Sequence, residues 1–408
     1  MNKEDILKKL RNLHTIRSQA YRLLELAQQN KLKYFSLDAQ QLPATASYIS
    51  EVIMDNYPSL EIPYHSRWRH FEAGNIDRIK ELRQHLNQLS TNEQGKLFFE
   101  LVIISVLLDA GAGKDWSYHE KKTGQRLNRS EGLAVASLEL YLSGAFSKDA
   151  KQPWRVDGRR LLSFTKTQLE ESFQVSTANP LEGIDGRLSL LNRLGSVIGQ
   201  KTEFFGPEGR LGNFYSHITS YSSQQETSVQ TLFESVLSAF TDIWPKRLQL
   251  ANTALGDVWT HTALKTEAQG SEYIPFHKLS QWLTYSLIEP LQWTGFHVND
   301  IDLLTGLPEY RNGGLLVDMG LLKAKSDNVL NKPHRPESEL IVEWRGLTVA
   351  LLDELAERIR DHFKLDAEKL PLAKILQGGT WEAGRRIAAQ KRTEGTPPIQ
   401  IISDGTVF

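Results

Sequence analysis

The sequence predicts a mainly α fold, compact throughout, with a few short strands in the C-terminal half. Two observations carry this. Leu347, Leu351, Leu355, Ile359 and Phe363 recur every four residues, with Asp353, Glu354, Glu357 and Arg358 between them. That is the apolar stripe of an amphipathic helix. Period-two alternation is scarce: only residues 339–345, and less clearly 314–319, read as strands. The helical spacing returns at residues 16–26, 79–89, 97–108, 131–142, 188–198, 229–244 and 279–288. Breaks fall at Gly111-Ala112-Gly113, Asn179-Pro180, Gly206-Pro207-Glu208-Gly209, Gly313-Gly314 and Gly378-Gly379. None is long enough to be a flexible linker. At roughly 100–200 residues per domain, the expectation is an N-terminal helical lobe, 1–200, and a C-terminal lobe, 201–408, packed as one unit. The tail from Thr396 to Phe408 is apolar enough to pack back as extended chain.

Composition removes several classes. Hydrophobic residues make up 40 % and charged residues 24 % of the 408, too apolar a balance for disorder. The 48 basic and 49 acidic side chains leave a net charge of −1, without the basic footprint of a nucleic-acid binder. The most apolar stretch, 101–108, broken only by Ser105, falls far short of the roughly 20 residues that span a bilayer, so no membrane partner is expected. The N-terminus mixes charges and lacks the apolar stretch of a signal peptide; a cytoplasmic protein is the default expectation. With no cysteine there is no disulfide framework, thiolate zinc site or cysteine nucleophile. The eleven histidines are scattered, without a His-Glu-x-x-His, so no metal is expected. Gly113-Lys114 imitates a phosphate-binding loop, but Leu108 and Asp115 stand where that loop needs glycine and a hydroxyl. Gly206, Gly209 and Gly212 have the wrong spacing for a dinucleotide fingerprint, and no Gly-x-Ser-x-Gly elbow occurs. No heptad argues for a homo-oligomer, and that state stays open.

Four polar clusters in apolar settings remain. The segment 63–71 sets Arg67 and Arg69 among His65, Trp68, His70 and Phe71; two guanidinium forks among rings suit a planar anion. Its structural alternative is a core helix end covered by arginines. Asp109 follows an apolar helix and precedes the glycine turn, where the negative end of the macrodipole disfavours it. It is either a cap satisfied by an arginine or a functional carboxylate beside backbone that can approach a ligand. In the segment 274–283, Pro275 suits a helix start, and Lys278 and Gln281 share one helix face. Lys278 in the first turn points to a bound anion, or else is a snorkelling surface lysine. In the segment 300–314, Pro308 stiffens the chain before Glu309, Tyr310 and Arg311, and Gly313-Gly314 frees it after. That is a site or a salt-bridged turn. On the expected strand, Glu343 and Arg345 would share a face, as bridge partners or as ligands to a hydroxylated substrate.

With these residues laid out, the chain resembles the uracil-catabolism protein-four family almost end to end. The resemblance rests on His65-Ser66-Arg67-Trp68-Arg69-His70-Phe71, Leu107-Leu108-Asp109-Ala110-Gly111-Ala112-Gly113 and Arg129-Ser130-Glu131-Gly132-Leu133 with the residues to Ser137. It continues through Leu255-Gly256-Asp257-Val258-Trp259, Phe276-His277-Lys278-Leu279-Ser280-Gln281-Trp282-Leu283 and the segment 304–314, and closes with Gly378-Gly379-Thr380-Trp381 and 403–408. It implies a place in a pathway that degrades uracil through its nucleotide. A fainter similarity is to the queuosine-salvage proteins, which cleave the N-glycosidic bond of a nucleoside 5′-monophosphate on a helical fold related to DNA glycosylases. It rests on Lys278-x-x-Gln281, Asp300-Ile301-x-x-Leu304-Thr305, Tyr310-Arg311 and Glu343-x-Arg345. Where those proteins carry Asp before the shared Tyr-Arg, this chain has Glu309, a carboxylate one methylene longer, a departure that fits a smaller substrate or moves the catalytic role elsewhere.

The two likenesses meet in one expectation: hydrolysis of a ring-opened nucleotide, ribosylurea 5′-phosphate, to urea and ribose phosphate, without a cofactor. Such cleavage passes through an oxocarbenium-like transition state, which needs a carboxylate beneath C1′. Asp109 and Glu309 are the candidates. Glu343 and Arg345 suit the ribose hydroxyls; Lys278, Arg311 and Arg67 suit the phosphate; His65, His277 or Tyr310 would protonate the leaving nitrogen. The rivals are an amidohydrolase acting on the ureido C–N bond and a non-catalytic nucleotide-binding partner of the ring-opening enzyme.

Overall fold

The computed structural model describes residues 2–244 and 247–402. Its axis is the helix Glu339–Phe363, 25 residues long. The predicted stripe lies on it: Leu347, Leu351, Leu355 and Ile359 are each 0 % exposed. Its first half is buried on every side, from Leu340 to Leu352, as befits a helix at the centre of a core. Here the strand expected at 339–345 is corrected. A helix buried all round has no polar face to betray its period, and two buried charges, Glu343 and Arg345, break the apolar run in a way that imitates a strand. The strand expected at 314–319 is also helical, mostly within Tyr310–Asp318.

The helix Leu13–Gln28 lies along this axis, and one continuous hydrophobic core runs from Leu13 to Ile399, so the two chain ends share it. The other expected helices form as Arg78–Leu86, Thr91–Leu107, Arg129–Leu142, Ile184–Gln200, Val229–Phe240 and Lys278–Trp293. Strands are short two-stranded pairs, and they are not confined to the C-terminal half. Ser117–His119 pairs antiparallel with Arg126–Asn128, and Phe35–Leu37 with Leu322–Ala324. Glu226–Ser228 pairs in parallel with His297–Asn299. The tail packs as expected over its described part: Ile399 is buried and Ile401 bridges His334. Residues 403–408, which carry part of the family resemblance, lie outside the described residues. Among the described residues no helix is long and apolar enough to cross a membrane.

One close approach positions the site. Gly384, on the helix Trp381–Lys391, lies so near the helix Tyr310–Asp318 that an added Cβ would stand 2.3 Å from the carbonyl oxygen of Arg311. Backbone cannot give way as a side chain does. Gly384→Ala is therefore expected to destabilise the protein by about 1–3 kcal/mol, read as a lower midpoint in urea unfolding with an unchanged m-value.

Candidate functional site

The helix Thr91–Leu107 is buried on all faces from Leu97 onward, and Asp109 stands just past its C-terminal end. Two buried arginines offset the charge there. Arg67 Nη1 lies 3.0 Å from Asp109 Oδ2. Arg187 donates to the carbonyls of Leu108 (2.9 Å), Ala110 (2.8 Å) and Gly111 (3.2 Å), closing the helix end. Burial pushes the Asp109 carboxyl above its ordinary range, against the pull of Arg67. Its other oxygen, Oδ1, is buried without a hydrogen-bond partner among the described residues. A buried acceptor left open is rare, which makes this oxygen a candidate contact for a ligand group.

Glu309 caps the helix Tyr310–Asp318. Its Oε2 accepts the N–H of Arg311 (2.8 Å) and its Oε1 that of Asn312 (2.6 Å). Both oxygens are thus held rigidly at a positive helix end. Burial still raises its pKa, the two amides and Arg311 opposing. Lys278 begins the helix Lys278–Trp293, after His277 in the left-handed conformation (φ 45°). Removal from water and the nearby Arg345 lower its ammonium to about 8, against Glu309, Asp257 and Asp109, which favour the charge.

These three groups face one cleft of about 340 Å³, with His65, His70, Ser130, Trp282, Tyr310 and Trp381 among its walls. The aromatic wall is built from contacts between rings: His70 meets Trp282 edge-on at 5.8 Å and Trp381 at 6.3 Å. Trp381 follows a π-helical turn, Leu376–Thr380, a distortion common at functional sites. From that turn, Gln377 Oε1 stands 3.0 Å from His65 Nδ1. A carbonyl oxygen only accepts, so Nδ1 carries the proton and Nε2 is left as an acceptor. Burial lowers His65 to about 4, so the ring is neutral near pH 7. Two more polar atoms of this wall, Trp282 Nε1 and His70 Nδ1, are buried without partners among the described residues.

Of the residues singled out from sequence, the structure brings together Asp109, Glu309, Lys278, His65 and Tyr310. Arg311 lies alongside, over the Trp381 ring at 4.1 Å. Arg67 stands behind Asp109, its Nε on Ser105 Oγ (2.7 Å) and its Nη1 on the Ser130 carbonyl (3.2 Å); it fixes the carboxylate. The others stand away from the cleft. Gln281 clamps Thr305, accepting its N–H at 2.8 Å. His277 has its ring Nε2 on the Leu10 carbonyl at 2.9 Å. Glu343 and Arg345, two positions apart on a helix, diverge by about 200° instead of sharing a strand face. Glu343 accepts the N–H groups of Lys33, Tyr34 and Phe35. Arg345 makes a bidentate pair with Asp257, at 2.7 and 2.8 Å. Asp257 Oδ2 in turn accepts the N–H of Lys278 at 2.9 Å. Both therefore act on architecture, Arg345 by anchoring the helix start that carries Lys278.

Sequence reasoning passed over Trp381, Trp282, His70 and Arg129 as cleft residues. All four sit in motifs already quoted, His70 next to Arg69, Trp381 just after Gly378-Gly379, Trp282 next to Gln281 and Arg129 at the head of its run, and that company is the signal. Arg129 adopts the left-handed conformation, φ 52°, which its sequence neighbours do not announce.

Fold and cleft together define a helical protein with two desolvated carboxylates and a lysine gathered around a small-molecule-sized hollow. A family model described as "Protein of unknown function (DUF1688)" matches residues 9–408, and the chain belongs to that family. It is 38 % identical over 410 residues to "Protein urg3" of Schizosaccharomyces pombe, with 98 % of each chain covered. To "Uracil catabolism protein 4" of Lachancea kluyveri it is 36 % identical over 434 residues, again covering 98 % of each.

Proposed function

We propose that this chain acts in uracil catabolism, the process in the name of its Lachancea kluyveri relative, by hydrolysing the N-glycosidic bond of ribosylurea 5′-phosphate. The observation that carries the reading is the meeting of Asp109, Glu309 and Lys278 in one cleft. Water attacks C1′ as the bond from C1′ to nitrogen breaks. One carboxylate takes the proton from water while both stabilise the positive sugar. Lys278 holds the carboxylates ionised as their surroundings dry. The departing nitrogen receives a proton and leaves as urea. His65, with its proton committed to Gln377, and His70, which burial and the nearby Arg67 hold neutral near pH 7, are poorly suited to that donation, which leaves Tyr310 in the cleft. His277 has no place in it.

The test is a product assay on purified protein with UMP, uridine, ribosylurea and ribosylurea 5′-phosphate. Urea and free sugar phosphate from the last compound are the expected result. Ammonia and carbon dioxide would shift the reaction to the ureido bond, and binding without turnover would leave a nucleotide-binding protein. The pH profile adds a signature. The rate is expected to rise with pH as the two raised carboxyls ionise, above the ordinary carboxylate range. It should fall above about 8 as Lys278 loses its proton. Lys278→Met should abolish the alkaline limb, and its survival there would assign it to another group.

A further inference from the structure

The cleft adjoins a second recess of about 430 Å³, and the two share His65, His70, Arg129 and Trp381 as walls. Five arginines line this recess, Arg69, Arg126, Arg129, Arg311 and Arg385, against two carboxylates, Glu72 and Glu131. Arg69 is engaged by Glu72 (3.1 Å) and Glu289 (2.8 Å). Of the other four, only Arg385 has an ion-pair partner among the described residues. Arg129 and Arg126 make no ion pair with any described residue, and Arg385 reaches Glu382 only at 3.9 Å. Arg311 is 8 % exposed. Its Nε donates to the Tyr310 hydroxyl at 3.4 Å and its plane rests on Trp381, yet no carboxylate lies within ion-pair distance among the described residues. Glu309 and Glu131 favour its charge from a distance, but no carboxylate oxygen meets the guanidinium directly, which leaves its donors open to an anion that arrives from outside.

The fold arranges these cations. Gly384 lets the helix bearing Arg385 touch the backbone of Arg311. The helix Arg129–Leu142 starts at the recess with no side-chain cap from Asn128, so its first-turn N–H groups add to the positive field. Arg129, Arg311 and Arg385 also border the neighbouring hollow on the far side, so the three form one basic wall. Their charge matches a phosphate monoester, which carries about −1.5 to −2 near pH 7 and three acceptor oxygens, better than a single carboxylate.

We propose that this wall is a phosphate-monoester subsite, with Arg129, Arg311 and Arg385 seating the 5′-phosphate of the ribosyl substrate while C1′ lies in the cleft. It takes the role expected from sequence of Lys278 and Arg67, one of which serves the carboxylates and the other of which is committed to Asp109. The substrate named rests on the glycosidase reading above; the anion site does not.

The experiment is isothermal titration of the full chain with ribose 5-phosphate, inorganic phosphate and ribose, in wild type and in Arg129→Gln and Arg385→Gln. Both side chains are exposed, so the variants are expected to fold, which unfolding midpoints verify. Ribose 5-phosphate should bind well ahead of ribose, and each substitution should weaken it roughly 10–100-fold. If the variants bind it as tightly as wild type, or if wild type does not prefer it to ribose, the subsite is wrong. Should binding follow the arginines while no urea is released from ribosylurea 5′-phosphate, the subsite stands and the glycosidase reading falls.

Discussion

Glu309→Gln is expected to lower kcat on ribosylurea 5′-phosphate by roughly 10²–10³-fold, the usual cost of removing one electrostatic contact to a transition state. The charge disappears while the shape stays. Both oxygens of Glu309 accept helix N–H groups, and an amide can offer an acceptor to only one of them. A loss of about 1 kcal/mol in stability, typical of a damaged cap, should accompany the loss of rate and is far too small to explain it. Asp109→Asn is expected to be as severe for turnover, but it also leaves Arg67 buried beside a neutral amide. Its unfolding midpoint must be read beside its rate, and the double variant Arg67→Met/Asp109→Asn separates the two effects by removing the stranded charge. Folded single variants that both retain wild-type turnover would place the chemistry elsewhere.

Arg345→Leu should damage stability by about 3–5 kcal/mol, because it strands the largely buried Asp257 carboxylate of an ion pair whose arginine is fully buried. Asp257 keeps its carboxyl well below the usual range although burial pushes it upward, since Arg345, the Trp259 indole N–H and the Lys278 amide all favour its charge. A carboxyl depressed in the folded state contributes stability that is present above its unfolded pKa, about 3.9, and lost as pH falls through the folded value. Without Arg345 the same carboxyl is buried with less support, its folded pKa rises, and the sign reverses: the variant should gain stability relative to wild type as pH drops from 7 to 4. Urea unfolding at the two pH values reads this directly. Unchanged stability with a raised KM alone would return Arg345 to the substrate, the role its place in the motif first implied.

Much of the site was legible because its residues sit where local rules make them conspicuous. A carboxylate past the end of an apolar helix, as at Asp109, and a lysine in a first turn, as at Lys278, contradict expectation unless something compensates. Pro308 before Glu309 announces a helix start. Glu343, Arg345, Gln281 and His277 looked alike on paper, being polar groups in apolar runs. What distinguishes them is the partner each meets: backbone amides at 33–35, Asp257, Thr305 and the Leu10 carbonyl. Those partners lie far away along the chain, so spacing carries no trace of them.

By itself the sequence determined the helices whose one face is apolar, the breaks between them and the residues able to do chemistry, because periodicity and turn preference act over a few neighbouring positions. Only the tertiary structure decided that residues 339–345 are helical, since a segment enclosed on all sides is selected by its surroundings and not by its own period. Only the tertiary structure, too, separated the carboxylates that open onto the cleft from those spent on holding backbone. That choice depends on which distant donors reach them when the core closes.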